Sequence, residues 1–150
     1  YMLQTDDNPD GVPQDQLQEI TDNIKADRAK FLRTFFDQFY GVGFITSPVS
    51  EEVLDLSWNT AMLAGLKPTL ACAESFGTTD FRPDLPSITV PTLVIHGTSD
   101  QTVPIDATGR ALARALPNAT LIEYDGAPHG LFASESDRLT GDLLSFLAAR

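Results

Sequence analysis

The sequence has one cysteine, two histidines and no long apolar run, and each shortage argues against a class of protein. Cys72 has no second cysteine to pair with, and its setting among alanines predicts a small buried side chain inside a helix. The two histidines show no ligand spacing such as H-E-x-x-H, so we expect no metal and no cofactor. No stretch reaches the roughly 18 apolar residues that a membrane helix needs.

Positive charge is also scarce, because 10 Lys and Arg stand against 21 Asp and Glu and give a formal net charge of −11. Such a chain repels phosphate backbones and anionic lipids, so we expect neither nucleic acid nor a membrane as a partner. No charged and then apolar leader precedes the first helical pattern, which predicts a soluble, cytoplasmic protein. The chain begins at Tyr1 in a loop-like stretch, and we therefore expect an N-terminal truncation.

The first half of the chain is predicted to be helical. Apolar residues recur at spacings of three, four or seven between Gln14 and Tyr40, which indicates one long or two consecutive amphipathic helices. Ser50 is placed to cap a second helix that ends before Gly65, and Pro68 suits the first turn of a third. The region is unusually aromatic, with Phe31, Phe35, Phe36, Phe39, Tyr40, Phe44 and Trp58. Core packing is the simpler explanation for these rings, and a ligand-facing wall is the alternative.

The second half alternates strands with helices. The stretch VPTLVIHGTSDQTVP predicts a parallel strand near 90–96, covered on both faces, that ends at Gly97 and leads into a helix over 105–116. NATLIEY predicts a second strand at 119–124, and Ser134 and Asp137 have the capping-box spacing of a final helix. Two strands leave an edge and a face unpaired, so we expect the chain to need a partner.

Two ionisable residues follow the two predicted strands, Asp100 after the first and His129 after the second. Adjacent parallel strands would bring both loops together at the carboxyl end of the sheet. A carboxylate that accepts a hydrogen bond from a histidine Nδ1–H fixes the tautomer of a general base and stabilises its imidazolium form. A solvated loop histidine is the simpler alternative for His129, and His96 is expected to make a structural hydrogen bond.

Three stretches resemble the α/β-hydrolase superfamily, and more narrowly its cofactor-free (non-haem) haloperoxidase and arylesterase group. They are PTLVIHGTSDQTVP, TTDFRPDLPSITVPTL and ALPNATLIEYDGAPHGLFASESDRLTGDLLSFL. The resemblance implies an α/β fold in which residues 1–77 form a helical cap and residues 78–150 the C-terminal part of the core, with its last two parallel strands and flanking helices. It also implies the acid role for Asp100, the base role for His129, and an apolar acyl or aryl pocket. The candidates for that pocket are Phe31, Phe35, Trp58 and Phe81.

The chain departs from that family at the nucleophile. No G-x-S-x-G occurs in its 150 residues, and no HGGG-type oxyanion loop is found. We therefore expect the C-terminal portion of a serine hydrolase that acts on small carboxylic esters and is inactive alone. In a variant implied by the resemblance, peroxide replaces water and the resulting peracid oxidises halide. The expected partner is an N-terminal half that carries the serine, or a second copy of this chain. The alternative is an inactive, truncated module with an interaction or structural role.

Overall fold

The computed structural model describes residues 1–149, in which a helical first half precedes an α/β second half. The elements are α1 (Gln14–Phe39), α2 (Glu51–Met62), α3 (Leu66–Thr78), a 3₁₀ turn (Arg82–Ser87), β1 (Thr92–Gly97), α4 (Gly109–Ala115), β2 (Ala119–Tyr124), α5 (Leu131–Ser134) and α6 (Ser136–Ala148). None of the helices in this part of the chain combines the length and the apolarity that crossing a membrane requires. The order of helices and strands agrees with the sequence prediction.

The first helical pattern folds as two helical segments joined at a kink. Asp27 has φ −155° and ψ 86°, which are not helical values, in the middle of α1. Its carboxylate accepts a hydrogen bond from the N–H of Lys30 at 3.0 Å, as a capping residue at the start of a new segment does. Ser50 caps α2 as predicted, since its side chain accepts from the N–H of Val53. The spacing of apolar residues was therefore a reliable guide to the helices.

Cys72 is exposed, so the prediction of a buried thiol was wrong. The face of α3 that packs on α1 is the one that contains Gly77, where an added Cβ would lie 3.2 Å from a methyl group of Leu17. Five residues of α-helix turn the chain by about 140° from that face, which takes Cys72 away from the contact. A run of small apolar residues identifies a helix but does not tell which of its faces is buried.

The two strands pair in parallel, from Thr92 opposite Ala119 to Gly97 opposite Tyr124. Adjacent parallel strands were predicted, and their carboxyl ends lie at the same edge. The cover of the sheet differs from the prediction, because among the residues of β1 only Val94 and Gly97 are buried. In residues 1–149 the sheet has only two strands. Such a narrow sheet offers too little surface for helices to enclose both of its faces.

The ends of two helices also differ from the prediction. Residues 105–108 form turns, and α4 begins only at Gly109. The chain is already helical at Leu131, so Ser134 ends α5 and cannot cap the helix that follows. Glu135 precedes α6 without a side-chain capping bond. The capping box predicted for the last helix was therefore wrong, because a short helix occupies the residues that would have formed it.

β1 ends at a close approach to the loop that follows β2. An added Cβ at Gly97 would lie 2.2 Å from the carbonyl oxygen of Ala127, so only glycine fits there. The N–H of Ser99 donates to the same carbonyl at 3.0 Å. This contact holds side by side the two loops that carry Asp100 and His129.

Candidate functional site

The two loops bring Asp100 and His129 into direct contact. Nδ1 of His129 lies 2.7 Å from Oδ2 of Asp100, although 29 positions separate them in the sequence. The carboxylate side chain is 3% exposed, whereas the imidazole is 33% exposed. A buried carboxylate therefore contacts one side of a ring that remains accessible to a reactant.

The surroundings of Asp100 keep its carboxylate ionised. Its Oδ1 accepts hydrogen bonds from the backbone N–H groups of Thr102 and Val103, both at 2.8 Å. Burial alone would raise the pKa of Asp100, but hydrogen bonds from His129, His96 and the Val103 N–H outweigh it and hold that pKa well below its usual range. The residue consequently acts as a negatively charged acceptor.

The charge on Asp100 assigns the tautomer of His129. An ionised carboxylate can only accept, so the hydrogen between the two side chains belongs to Nδ1 of the imidazole. In the neutral ring, Nε2 then carries a lone pair. The arrangement is chemically able to take a proton from a hydroxyl group placed at Nε2 and to stabilise the imidazolium that results.

A second imidazole contacts the same carboxylate, and sequence reasoning missed this contact. Nε2 of His96 lies 3.1 Å from Oδ2 of Asp100 and 3.0 Å from the carbonyl oxygen of Val103. His96 thus makes the backbone hydrogen bond expected of it, but it also contacts the candidate acid. The sequence signal that could have predicted this contact is the four-residue spacing of His96 and Asp100 across the end of β1. The chain turns back at Gly97 and so brings both side chains together.

A row of phenylalanine rings on α1 leads to His129. Phe31 stacks on Phe35 with centroids 6.0 Å apart, and Phe35 meets Phe39 at 5.7 Å. Phe39 contacts the imidazole of His129 edge to face at 4.7 Å. The sequence prediction named the first two rings as pocket candidates and omitted Phe39, which continues their i, i+4 series.

The other two predicted pocket residues lie in different surroundings. The indole N–H of Trp58 donates to the carbonyl of Ala29 at 2.8 Å, and the guanidinium of Arg33 lies 5.1 Å above the ring. Phe81 is 64% exposed and lines a cavity of about 270 Å³ together with Phe76. The contacts of Trp58 therefore lie within the helical half, whereas Phe81 borders a separate cavity.

Charged residues next to the site are paired with one another. The guanidinium of Arg110 contacts Glu123 at 2.6 Å and Asp106 at 2.9 Å, and Glu123 stands opposite His96 in the strand register. Across residues 1–149, no three His, Cys, Asp or Glu side chains are grouped so that they could hold a metal ion.

Comparison with known proteins gives consistent matches over nearly the whole chain. A family profile described as the alpha/beta hydrolase fold matches residues 8–136. A non-heme chloroperoxidase from Kitasatospora aureofaciens is 36% identical over 97% of this chain. A bifunctional esterase/perhydrolase from Acinetobacter calcoaceticus is 34% identical over 97% of it. The crystal structure of a bromoperoxidase from Bacillus anthracis superposes with a TM-score of 0.93 at 36% identity and covers 99% of the chain.

These matches cover only part of each relative. The chain spans 54% of the Kitasatospora chloroperoxidase and 53% of the Acinetobacter enzyme. It spans 54% of the Bacillus anthracis bromoperoxidase. The chain therefore corresponds to about half the length of the proteins it resembles, consistent with a C-terminal portion.

Proposed function

The chain belongs to the α/β-hydrolase fold family, and we propose that it supplies the acid and the general base of a serine-type catalytic triad that cleaves carboxylic esters. Asp100 is the proposed acid and His129 the proposed base. The proposal rests on the 2.7 Å contact between Nδ1 of His129 and the buried carboxylate of Asp100. It keeps the division into a cap, residues 1–77, and a core segment, residues 78–150.

In the proposed reaction, Nε2 of His129 takes the proton of a serine hydroxyl as the serine oxygen attacks the ester carbonyl. The imidazolium is stabilised by Asp100, which does not itself take the proton, and then protonates the departing alcohol. His129 next deprotonates a water molecule as its oxygen attacks the acyl carbon, and the imidazolium then returns the proton to the serine oxygen as the acid leaves. Hydrogen peroxide in place of water would release a peracid, which in turn can oxidise halide. The relatives, which include a chloroperoxidase and an esterase/perhydrolase, support both outcomes.

The serine and the oxyanion-binding groups are proposed to come from an N-terminal half. The sequence contains no G-x-S-x-G, and the relatives extend over about twice the length of the match. An exposed apolar face on α6, formed by Leu143, Leu144 and Leu147, is available to that half. A second copy of this chain would cover the face but would bring no nucleophile. The chain alone is accordingly proposed to be inactive.

The phenylalanine row on α1 is proposed to form one wall of the acyl pocket. Phe31 and Phe35 extend from Phe39, which contacts the base directly. Apolar rings beside the reacting group would favour small acyl or aryl esters. The assignment of Trp58 and Phe81 to the acyl or aryl pocket stays a prediction.

The test joins this chain behind the segment of the Bacillus anthracis bromoperoxidase that it does not match, and assays p-nitrophenyl acetate. We expect turnover by the chimera, none by the chain alone, and loss of turnover on the order of 10³-fold or more in the chimera with His129→Ala. The substitution Asp137→Asn, at an exposed carboxylate on α6, is the control and should leave turnover unchanged. A chimera that unfolds cooperatively yet shows no turnover would contradict the proposal and favour an inactive interaction module.

A further inference from the structure

Two imidazoles converge on one carboxylate oxygen. Oδ2 of Asp100 lies 2.7 Å from Nδ1 of His129 and 3.1 Å from Nε2 of His96. The carbonyl oxygen of Val103 lies 3.0 Å from the same Nε2, and a carbonyl can only accept. The hydrogen of His96 is therefore on Nε2, which donates to the carbonyl and lies 3.1 Å from Oδ2 of Asp100.

The ring of His96 is held where it is by its packing. An added Cβ at Gly109, the first residue of α4, would lie 2.6 Å from Nδ1 and 3.0 Å from Cγ of His96. The side chain of His96 is 12% exposed. Because the helix backbone passes so close, the ring has little freedom to move and Nε2 stays directed at Asp100.

The two oxygens of Asp100 are fixed in different ways. Oδ1 accepts two backbone N–H bonds from its own loop, at Thr102 and Val103. Both of those bonds are made to Oδ1, and Oδ2 has its contacts with the two imidazoles. His129 is on another loop and is one-third exposed. The donor that holds Oδ2 from within the core is His96.

We propose that His96 is a positioning residue of the site, whose Nε2–H holds Oδ2 of Asp100 toward Nδ1 of His129. The inference rests on the proposed function, because it assigns a role within the proposed triad. His96 does not touch the reacting atoms and acts only through Asp100. His96, on β1, thus positions the candidate base His129, in the loop after β2, by way of Asp100.

The charge on His96 matters because this residue acts through the carboxylate of Asp100. The charged groups around it are Asp100 in the following loop, His129 beyond that carboxylate, Glu123 on β2, and Arg110 of α4, which pairs with Glu123 and Asp106. The hydrogen bond to Asp100 is the largest influence and raises the pKa of His96, although burial opposes it. A protonated His96 would compete with imidazolium at His129 for one carboxylate oxygen. The neutral ring is therefore the form that serves the base.

The first test compares two substitutions at His96 in the chimera. His96→Leu removes the donor and should lower kcat by about ten- to a hundredfold, with KM within about twofold of the parent. His96→Gln keeps an N–H donor without a charge, and should retain kcat within about threefold. Equal kcat in the parent and His96→Leu would overturn the proposal.

A second variant moves the ring without changing any hydrogen-bonding group. Gly109→Ala forces His96 away from α4 and should lower kcat in the parent, whereas in a His96→Ala background it should cost nothing further. An equal loss in both backgrounds would show that the added methyl group acts through the helix, and would overturn the inference. Gly109→Ala also gives the answer if His96→Leu fails to fold.

A third measurement does not depend on turnover. Nitrogen-15 NMR of the histidines in this chain should show His129 with its hydrogen on Nδ1, and His96→Leu should produce a mixture of tautomers. Asp100→Asn is the positive control for loss of the tautomer. An unchanged tautomer in His96→Leu would contradict the proposal. A chimera without any turnover would overturn the proposed function instead, and the tautomer would then decide this inference alone.

Discussion

Phe39 contacts the candidate base His129 through its ring and the next residue, Gly130, through its backbone. The phenyl ring meets the imidazole of His129 edge to face, with centroids 4.7 Å apart and an interplanar angle of 64°. The carbonyl oxygen of Phe39 also accepts a hydrogen bond from the N–H of Gly130 at 2.7 Å. The last turn of α1 therefore supports the loop that carries His129, and the helical half takes part in building the site.

Phe39→Leu should lower kcat of the chimera by about three- to tenfold, because an edge-to-face pair contributes about 0.5–1.5 kcal/mol beyond the area it buries. The substitution keeps an apolar side chain and leaves the backbone bond to Gly130 available. Phe36→Leu is the matched control, since Phe36 contacts Phe35, Phe39 and Tyr40 within the same ring cluster. Steady-state kinetics on p-nitrophenyl acetate distinguish them, and equal losses in both variants would count against a specific role for Phe39.

Asp100→Asn should destabilise this chain by about 2–3 kcal/mol near neutral pH, since it removes a buried charge that accepts several hydrogen bonds. The pKa of Asp100 is lowered in the fold from 3.8. Its ionised form therefore contributes stability that is fully present above the unfolded pKa and is lost as the pH falls through the folded value. The difference in unfolding free energy between parent and variant should shrink from about pH 5 downwards. Urea titrations followed by Trp58 fluorescence measure it, with Asp137→Asn as control, and a difference independent of pH would refute the assignment.

Tyr124→Phe should cost about 1 kcal/mol of stability. The hydroxyl of the fully buried Tyr124 donates to Oδ2 of Asp142 at 2.6 Å, which ties the end of β2 to α6. Burial, followed by that carboxylate, raises the pKa of Tyr124 to about 12. Urea titration should show that adding Asp142→Asn to Tyr124→Phe costs less than Asp142→Asn alone. Fully additive losses would mean that the two side chains act independently.

Replacing both Leu144 and Leu147 by glutamate should weaken assembly with a separately produced N-terminal half. The two leucines are 62% and 60% exposed in this chain, and charges there would have to be buried when the face is covered. Leu56→Glu, at a residue on α2 that is 68% exposed, is the control. Light scattering and the concentration of N-terminal half needed for half-maximal activity give the result. Equal affinity in all variants would exclude α6 as the surface that the N-terminal half covers.

The strands could be predicted from short-range signals, and the contact of Asp100 with His129 could be predicted from the parallel pairing of those strands. Apolar β-branched runs ended by glycine or a turn mark both strands, and parallel pairing brings their following loops to the same edge. The contact of His96 with Asp100 was not predicted, because it depends on the turn at Gly97 that folds the chain back within four residues. Periodicity identifies a strand but does not determine the path of the loop after it.

Burial was predicted less well than secondary structure. Cys72 is exposed and much of β1 is only half-buried, although both were expected to be covered. Burial depends on which elements pack against a residue, and that information lies in the tertiary arrangement. The contact of Phe39 with His129 was missed for the same reason, since it joins residues far apart along the chain.

The kink at Asp27 divides α1 into two segments with different contacts. The segment of α1 after the kink contains the phenylalanine row that ends at His129, whereas the segment before it packs through Leu17 on the Gly77 face of α3. Because Asp27 restarts the helix with its own capping bond, helical continuity with residues 14–26 does not set the direction of the second segment. The packing of α1 on α3 and its contact with the candidate base thus belong to different segments of a single helix.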